Sequence, residues 1–291
     1  MNTTLLRSAV GTTKPWKTLE VDGINLAYND DGEGLTIVCL HAIGHGAGDF
    51  KLFRKGFCDR YRVIAIDFPS HGNSDSDTQP ASSSRYAELI GLFLDKLAIE
   101  KVVLIGNSIG GAAAIQYAFA HLHRVQGLVL ENPGGLDPSD NIKTVFTRLM
   151  AKLFSQGIKK SWFYSRGFAD YYRYLVLPTP EAQEHREKII ASAYEIAPCL
   201  SQAWQSFGDK ASDLRHMVQS INCPVLLAWA SRDKIVQLDR CLPTIKHFPK
   251  AKLEIFEAGH CPHLETPKKF EFSVKSFLQE LECDADYTTN Y

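Results

Sequence analysis

Two patterns of hydrophobic and polar positions, short apolar runs and helical periodicity, follow each other along this chain of 291 residues. Short, nearly continuous apolar runs are typical of strands buried on both faces of a sheet, and they occur at residues 35–40, 62–66, 102–105, 128–130, 225–229 and 253–256. Helical periodicity separates several of these runs. One helix face would carry Tyr86, Leu89, Ile90, Phe93 and Leu97, and another Phe270, Val274, Phe277, Leu278 and Leu281. Buried strands that alternate with amphipathic helices predict an α/β fold with a mostly parallel sheet, covered by helices on both faces.

A hairpin is predicted near the start of the chain. Strand patterns at residues 17–21 and 24–28 flank the turn dipeptide Asp22-Gly23. Together with the six apolar runs, the hairpin predicts a sheet of eight strands.

Residues 134–220 break this alternation. They contain no convincing buried strand, show helical patterns at residues 142–154 and 181–196, and are rich in aromatic residues between positions 162 and 174. We therefore predict a helical cap (lid), inserted after the sixth strand and lying over one edge of the sheet. The α/β core would then consist of residues 1–133 and 221–291.

Candidate chemistry begins with the stretch L-I-G-N-S-I-G-G-A-A-A at residues 104–114. It places Ser108 where a buried strand gives way to an alanine-rich helix. Gly106 and Gly110 would let strand and helix approach closely, which is the G-x-S-x-G pattern of a nucleophile elbow. The stretch predicts that Ser108 is a catalytic nucleophile.

A serine nucleophile needs a base and a carboxylate that orients the base. His260 follows the last predicted strand and Asp233 follows the strand before it, so both should lie at the carboxyl edge of the sheet beside Ser108. The chain order serine, aspartate, histidine fits this elbow architecture. His263 is the alternative base. The alternative carboxylates are Glu131 and Asp67, of which Asp67 more readily shapes a loop.

An oxyanion formed in such a reaction requires preorganised donors. The backbone N–H of Ile109, which follows the nucleophile, is one expected donor. The second should come from the loop after the strand at residues 35–40, where Ile43 is the first choice and Ala42 the second. We expect His41 to be structural in this loop.

Composition limits the classes of partner. A formal charge of −1 predicts neither a nucleic-acid surface nor a polybasic membrane patch. Seven scattered cysteines, the lack of a signal-peptide pattern and the lack of a long apolar run predict a cytoplasmic protein without a membrane span. We expect a small-molecule substrate and no cofactor. We also expect no metal, because the H-C-P-H sequence at residues 260–263 has no second ligand pair elsewhere. A homodimer is possible.

These motifs together resemble the α/β-hydrolase superfamily over about residues 17–281. The stretches D-F-P-S-H-G-N-S-D from Asp67 and G-H-C-P-H-L-E-T-P from Gly259 look like the family's loop after the fourth strand and its histidine loop. G-N-S-I-G-G and P-G-G-L-D-P-S are similar to segments of hydrolases that cleave carbon–carbon bonds in meta-ring-fission products. In those enzymes the cap carries a functional arginine where Arg186 stands here.

The chain departs from that subgroup at its pocket. Its loop reads H-A-I-G-H-G-A where the subgroup has H-G-G-G-P-G-A, and Cys261 replaces a tryptophan after the catalytic histidine. Arg186 and Ala42 are possible substrate contacts. The first functional hypothesis is a serine hydrolase that cleaves a small to medium apolar or aromatic carboxylic ester. The alternatives are a carbon–carbon bond hydrolase and a ligand receptor that keeps the catalytic residues but has little turnover.

Overall fold

Eight strands form one sheet at the centre of the computed structural model, in the order β1-β2-β4-β3-β5-β6-β7-β8. The structure describes residues 16–289, with side chains as far as Cys283, so residues 1–15 and 290–291 of the predicted core lie outside the described residues. The strands are β1 (Lys17–Val21), β2 (Ile24–Asp31), β3 (Thr36–Leu40), β4 (Arg62–Ile66), β5 (Val102–Asn107), β6 (Val125–Glu131), β7 (Val225–Ala230) and β8 (Ala251–Phe256).

The sheet is mostly parallel, as predicted. Strands β3 to β8 pair in parallel with one another, whereas β2 pairs antiparallel with both β1 and β4. Asp22 and Gly23 both have positive φ, of 50° and 76°, which suits the tight turn between β1 and β2. The predicted fold class is confirmed.

Ten α-helices accompany the sheet within the described residues. They are α1 (Lys51–Phe57), α2 (Ser83–Lys96), α3 (Ile109–Ala120), α4 (Asn141–Ile158), α5 (Tyr164–Tyr171), α6 (Gln183–Ala191), α7 (Ala193–Ser206), α8 (Leu238–Ile245), α9 (Pro262–Glu265) and α10 (Pro267–Thr289). Short 3₁₀ turns occupy Ala47–Phe50, Lys210–Ser212 and Val218–Ser220, and a π-helical turn occupies Tyr172–Val176.

The two faces of the sheet form two separate cores. Val38 and Leu40 of β3 pack with residues of α2 and α3, whereas Ile37 and Cys39 of the same strand pack with residues of α1 and α10. This alternation explains why β3 reads as a continuous apolar run, since both of its faces are covered.

Helices α4 to α7 all lie between β6 and β7, and residues 134–220, all of which are described, contain no strand. The helical pattern predicted at residues 181–196 is divided at Ser192, where α6 ends and α7 begins. The last predicted strand also differs from expectation: β8 is an edge strand, so Leu253 and Ile255 are partly exposed rather than buried. No helix among the described residues is long and apolar enough to cross a membrane.

Candidate active site

Ser108 occupies a strained corner between β5 and α3. Its φ of 54° and ψ of −113° are unusual for a residue with a side chain. A Cβ atom on Gly106 would lie 2.6 Å from the Gly110 backbone, and one on Gly110 would lie 2.4 Å from the Leu40 carbonyl oxygen. Only glycine therefore fits at these two positions, and the close approach holds the serine at the tip of the turn.

His260 and Asp233 form a buried pair. The distance between His260 Nδ1 and Asp233 Oδ2 is 2.6 Å. The other oxygen of the carboxylate, Oδ1, accepts hydrogen bonds from the backbone N–H groups of Ile235 and Val236, at 2.7 and 2.9 Å. The carboxylate is therefore fixed by its own loop, and it orients the imidazole through Nδ1, which leaves Nε2 as the nitrogen for proton transfer.

The carboxylate also changes the acidity of the imidazole. Burial alone lowers the pKa of His260, but the charge and hydrogen bond of Asp233 outweigh this, so the pKa lies above the ordinary value. Glu265 and Glu131 raise the same pKa to a smaller extent. A base of this kind holds an accepted proton more strongly than a free imidazole does.

The alternative base and the alternative carboxylate contact each other. Glu131 Oε2 accepts hydrogen bonds from His263 Nδ1 at 2.8 Å and from the His263 backbone N–H at 3.0 Å. The third candidate carboxylate, Asp67, accepts backbone N–H groups of Ala47 and Asn73 at 2.7 and 2.9 Å. Neither Glu131 nor Asp67 is hydrogen-bonded to His260, and Asp67 lies where it shapes a loop.

The backbone of His260 is held on both sides. Glu265 Oε1 accepts the N–H groups of Gly259, His260 and Cys261 at distances of 2.8 to 3.0 Å. The side-chain amides of Asn107 and Asn132 donate to the His260 carbonyl oxygen at 3.0 and 2.9 Å. These five hydrogen bonds fix the histidine loop against the ends of β5 and β6.

Sequence reasoning did not find these supporting residues. Glu265 lies in the short helix α9 that Pro262 opens, and an acidic residue in a first turn is an ordinary helix feature. Asn107 lies inside the elbow pattern at a position that the pattern leaves open. Asn132 has a φ of 41°, which is one backbone signal that its site is unusual, but that signal is visible only in the structure.

The loop after β3 and the histidine loop contribute residues to the wall of one cavity. His41 Nδ1 lies 2.7 Å from the Ala42 carbonyl oxygen, and His41 Nε2 accepts the Phe68 N–H at 2.9 Å, so His41 bonds within the surrounding loops. The Ile43 N–H has no hydrogen-bond acceptor among the described residues. Ile109 is the first residue of α3, where a backbone N–H has no acceptor within the helix.

A cavity of about 230 Å³ joins these groups. Ser108, His260, Ala42, Ile43 and Ile109 all contribute to its wall. Helices α4, α5 and α7 and the segments around them supply much of the remaining wall, with the apolar side chains Phe146, Tyr171, Tyr172, Val176, Trp204 and Phe207. The arrangement brings a serine, a carboxylate-bound imidazole and two backbone amides to one largely apolar cavity.

Arg186 is not among the residues that line the cavity. Its guanidinium Nη1 donates to the backbone carbonyl oxygens of Leu177 and Thr179, at 2.6 and 3.2 Å. Arg186 therefore holds the segment that follows the π-helical turn. The cations that do line the cavity include Lys143 and Arg240, which pair with carboxylates of Asp137 and Asp140 at 3.0 and 2.8 Å.

The H-C-P-H segment forms no metal cluster. His260 and His263 each bind a carboxylate, and the Cys261 thiol donates to Asn107 Oδ1 at 3.2 Å. Burial raises the pKa of Cys261 well above its ordinary value. Across the described part of the chain, no group of three or more His, Cys, Asp and Glu side chains is placed to hold a metal ion.

A family model described as the alpha/beta hydrolase family matches residues 37–271. The chain belongs to this family, and the expected class of enzyme, a hydrolase, is confirmed. A 2-hydroxy-6-oxo-6-phenylhexa-2,4-dienoate hydrolase of Burkholderia cepacia is 27% identical, over 92% of this chain and 96% of the relative. The resemblance to enzymes that act on ring-fission products is therefore also confirmed.

Two solved structures show the same fold. The structure titled "Est816 as an N-Acyl homoserine lactone degrading enzyme" is 25% identical, with a TM-score of 0.69, and the match covers 90% of this chain and 100% of that chain. A meta-cleavage product hydrolase from Pseudomonas fluorescens IP01 is 21% identical, with a TM-score of 0.69, and the match covers 91% of this chain and 97% of that one.

Proposed function

We propose that this protein is a serine hydrolase that cleaves a small to medium apolar or aromatic carboxylic ester through an acyl-enzyme. Ser108 attacks the ester carbonyl while His260 accepts the serine proton, and Asp233 holds the imidazole and stabilises its charged form. The N–H groups of Ile43 and Ile109 stabilise the oxyanion. His260 then protonates the leaving alkoxide. Water attacks the acyl-enzyme while His260 accepts its proton, and His260 returns that proton to Ser108 as the carboxylic acid leaves.

One observation carries this proposal: the His260–Asp233 pair and the strained Ser108 turn meet at one cavity. The apolar and aromatic wall favours an apolar substrate, because polar groups of a substrate buried against this wall would lose their hydrogen bonds to water. The volume of about 230 Å³ is modest for a ligand site, which favours a small to medium substrate.

We further propose that residues 134–220 form the cap over this cavity, and that residues 1–133 and 221–291 form the catalytic core. Side chains from both parts line the cavity, which supports this division. In this arrangement the core supplies the reacting groups and the cap supplies most of the surface that selects the substrate.

Carbon–carbon bond hydrolysis is the second candidate, and the name of the Burkholderia cepacia relative favours it. Such a substrate must be ketonised before its bond breaks, which requires polar groups placed for that proton transfer. Arg186, the cap arginine expected for this role, is engaged with backbone carbonyls instead. An ester needs only the protonation that His260 provides, and a lactone-degrading enzyme is among the structural neighbours.

A substrate panel tests the choice between the two reactions. Purified protein should be assayed with p-nitrophenyl esters of increasing acyl length and with 2-hydroxy-6-oxo-6-phenylhexa-2,4-dienoate, and kcat/KM compared. Our proposal predicts a higher kcat/KM for one of the esters, with loss of about 10⁴-fold or more in Ser108→Ala. A higher kcat/KM for the dienoate would favour the second candidate. Binding of these compounds with almost no turnover would instead indicate a receptor.

A further inference from the structure

Helix α4 carries apolar side chains on two faces. Met150 and Phe154 are buried in the core that α4 shares with α7. Ile142, Val145 and Leu149 follow the helical spacing on another face, where they are 68%, 55% and 59% exposed. We call these three residues the α4 stripe. A surface helix normally needs one apolar face, so packing within the chain does not account for Val145 and Leu149.

The charge around the stripe is strongly one-sided. Residues 141–169 contain six lysines and arginines and no aspartate or glutamate, although the whole chain has a formal charge of −1. Two of the six, Lys143 and Arg166, pair with Asp137 and Asp170 just outside this range. Arg148, Lys152, Lys159 and Lys160 are exposed and form no ion pair with any described residue. The near-zero charge of the whole chain predicted no basic membrane patch. It does not exclude a local cationic surface such as this one.

The same segment ends in two exposed aromatic side chains. Trp162 is 91% exposed and contacts the ring of Phe163 edge to face, with centroids 5.7 Å apart. Exposed tryptophan is costly in water but favourable at the boundary between lipid headgroups and acyl chains. At the other end of the segment, Ile142 and Lys143 line the cavity, so the stripe begins at the mouth of the candidate active site.

We propose that residues 141–163 bind the surface of an anionic lipid membrane. The α4 stripe and Trp162 would enter the region between headgroups and acyl chains, while Arg148 and Lys152, one helical turn from Val145 and Leu149, would contact the headgroups. This inference does not depend on the reaction catalysed, because it rests on exposed apolar residues and charge alone.

The charge distribution favours lipid over a second copy of the chain. A twofold dimer through this surface would place identical patches against each other. The unpaired cations of one copy would then face those of the other, which is unfavourable, whereas an anionic surface neutralises them. An anionic membrane therefore matches both the apolar and the charged features of the segment.

Vesicle sedimentation of the full chain tests this proposal. We expect the protein to sediment with phosphatidylcholine vesicles that contain about a quarter phosphatidylglycerol, less with phosphatidylcholine alone, and less again at about 0.5 M salt. The double variant Arg148→Gln/Lys152→Gln should bind about 25-fold more weakly, at about fivefold for each neutralised cation. Val145→Ser/Leu149→Ser should also weaken binding.

Matched controls lie on the catalytic core. Leu52 is 59% exposed, like Leu149, and Lys268 is an exposed lysine on α10. Leu52→Ser and Lys268→Gln should leave vesicle binding unchanged, and circular dichroism of each variant checks its fold. As a second readout, vesicles should shift the tryptophan emission of the natural chain to shorter wavelength, and this shift should be absent in Trp162→Phe.

Three results would overturn the proposal. The first is that the natural chain fails to bind anionic vesicles and shows no emission shift. The second is that the control variants weaken binding as much as the variants of the segment. The third is that light scattering shows a dimer that Val145→Ser/Leu149→Ser dissociates while vesicles bind neither form, in which case a second copy covers the stripe.

Discussion

Replacing Asp233 with asparagine distinguishes the roles of two buried carboxylate–histidine pairs, Asp233–His260 and Glu131–His263. In the proposed mechanism Asp233 orients His260, whereas Glu131 binds only His263. The variants Asp233→Asn and Glu131→Gln each remove one buried charge with little change in volume. They should nevertheless differ greatly in turnover.

The size of the first effect follows from the contacts of Asp233. Its Oδ1 accepts two backbone N–H groups, so the oxygen of an asparagine amide should occupy that place and the NH₂ group should face His260 Nδ1. His260 would then carry its proton on Nε2 and could not accept the proton of Ser108. We expect kcat to fall about 10⁴-fold, or about 5.5 kcal/mol.

Glu131→Gln is the matched comparison. Glutamine can still accept the two hydrogen bonds from His263, and no hydrogen bond to His260 is lost. We expect kcat to stay within about tenfold of the natural enzyme, even if the loss of a buried charge lowers the free energy of unfolding.

Steady-state kinetics with the best ester of the panel measures both effects, and thermal unfolding of each variant checks that it is folded. The reasoning would be refuted if folded Asp233→Asn kept turnover within about tenfold of the natural enzyme, or if Glu131→Gln lost as much as Asp233→Asn is expected to lose. The second result would make Glu131 the functional carboxylate.

Three further changes test other parts of the account. Gly110→Val should give insoluble or inactive protein, because its Cβ would lie 2.4 Å from the Leu40 carbonyl oxygen, and a soluble active variant would contradict the turn geometry. The acidic limb of kcat/KM should lie above the ordinary imidazole pKa of about 6.5, since the pKa of His260 is raised and only its neutral form accepts a proton. Glu265→Gln should move this limb slightly to lower pH, and an unmoved limb would contradict the smaller contribution assigned to Glu265. Arg186→Gln should cost about 1–3 kcal/mol in the free energy of unfolding and leave KM for esters almost unchanged, whereas a large rise in KM without loss of stability would indicate that Arg186 contacts the substrate.

The placement of the candidate residues was predictable because it depends on where strands end. The carboxyl ends of parallel strands meet at one edge of the sheet, so residues that follow separate strands become neighbours. This rule predicted that Ser108, Asp233 and His260 lie together. The close approach of strand and helix at Gly106 and Gly110 was predictable for a different reason, since a glycine on each side of the serine leaves room for it.

Other features depend on packing that no local pattern encodes. The hydrogen bonds of Glu265 to three backbone amides depend on how α9 folds back onto the histidine loop. Arg186 reads as a polar helix residue in the sequence, and only the tertiary structure shows that it binds backbone carbonyls. The exposed face of β8 was missed because an edge strand and a central strand can have similar apolar content.

Active-site labelling tests the central claim most directly. The natural chain and Ser108→Ala should each be treated with a fluorophosphonate, followed by intact mass measurement and peptide mapping. The account predicts a single adduct on Ser108 of the natural chain, with complete loss of esterase activity, and no adduct on the variant. An unlabelled Ser108 in active protein, or equal labelling of Ser108→Ala, would contradict it.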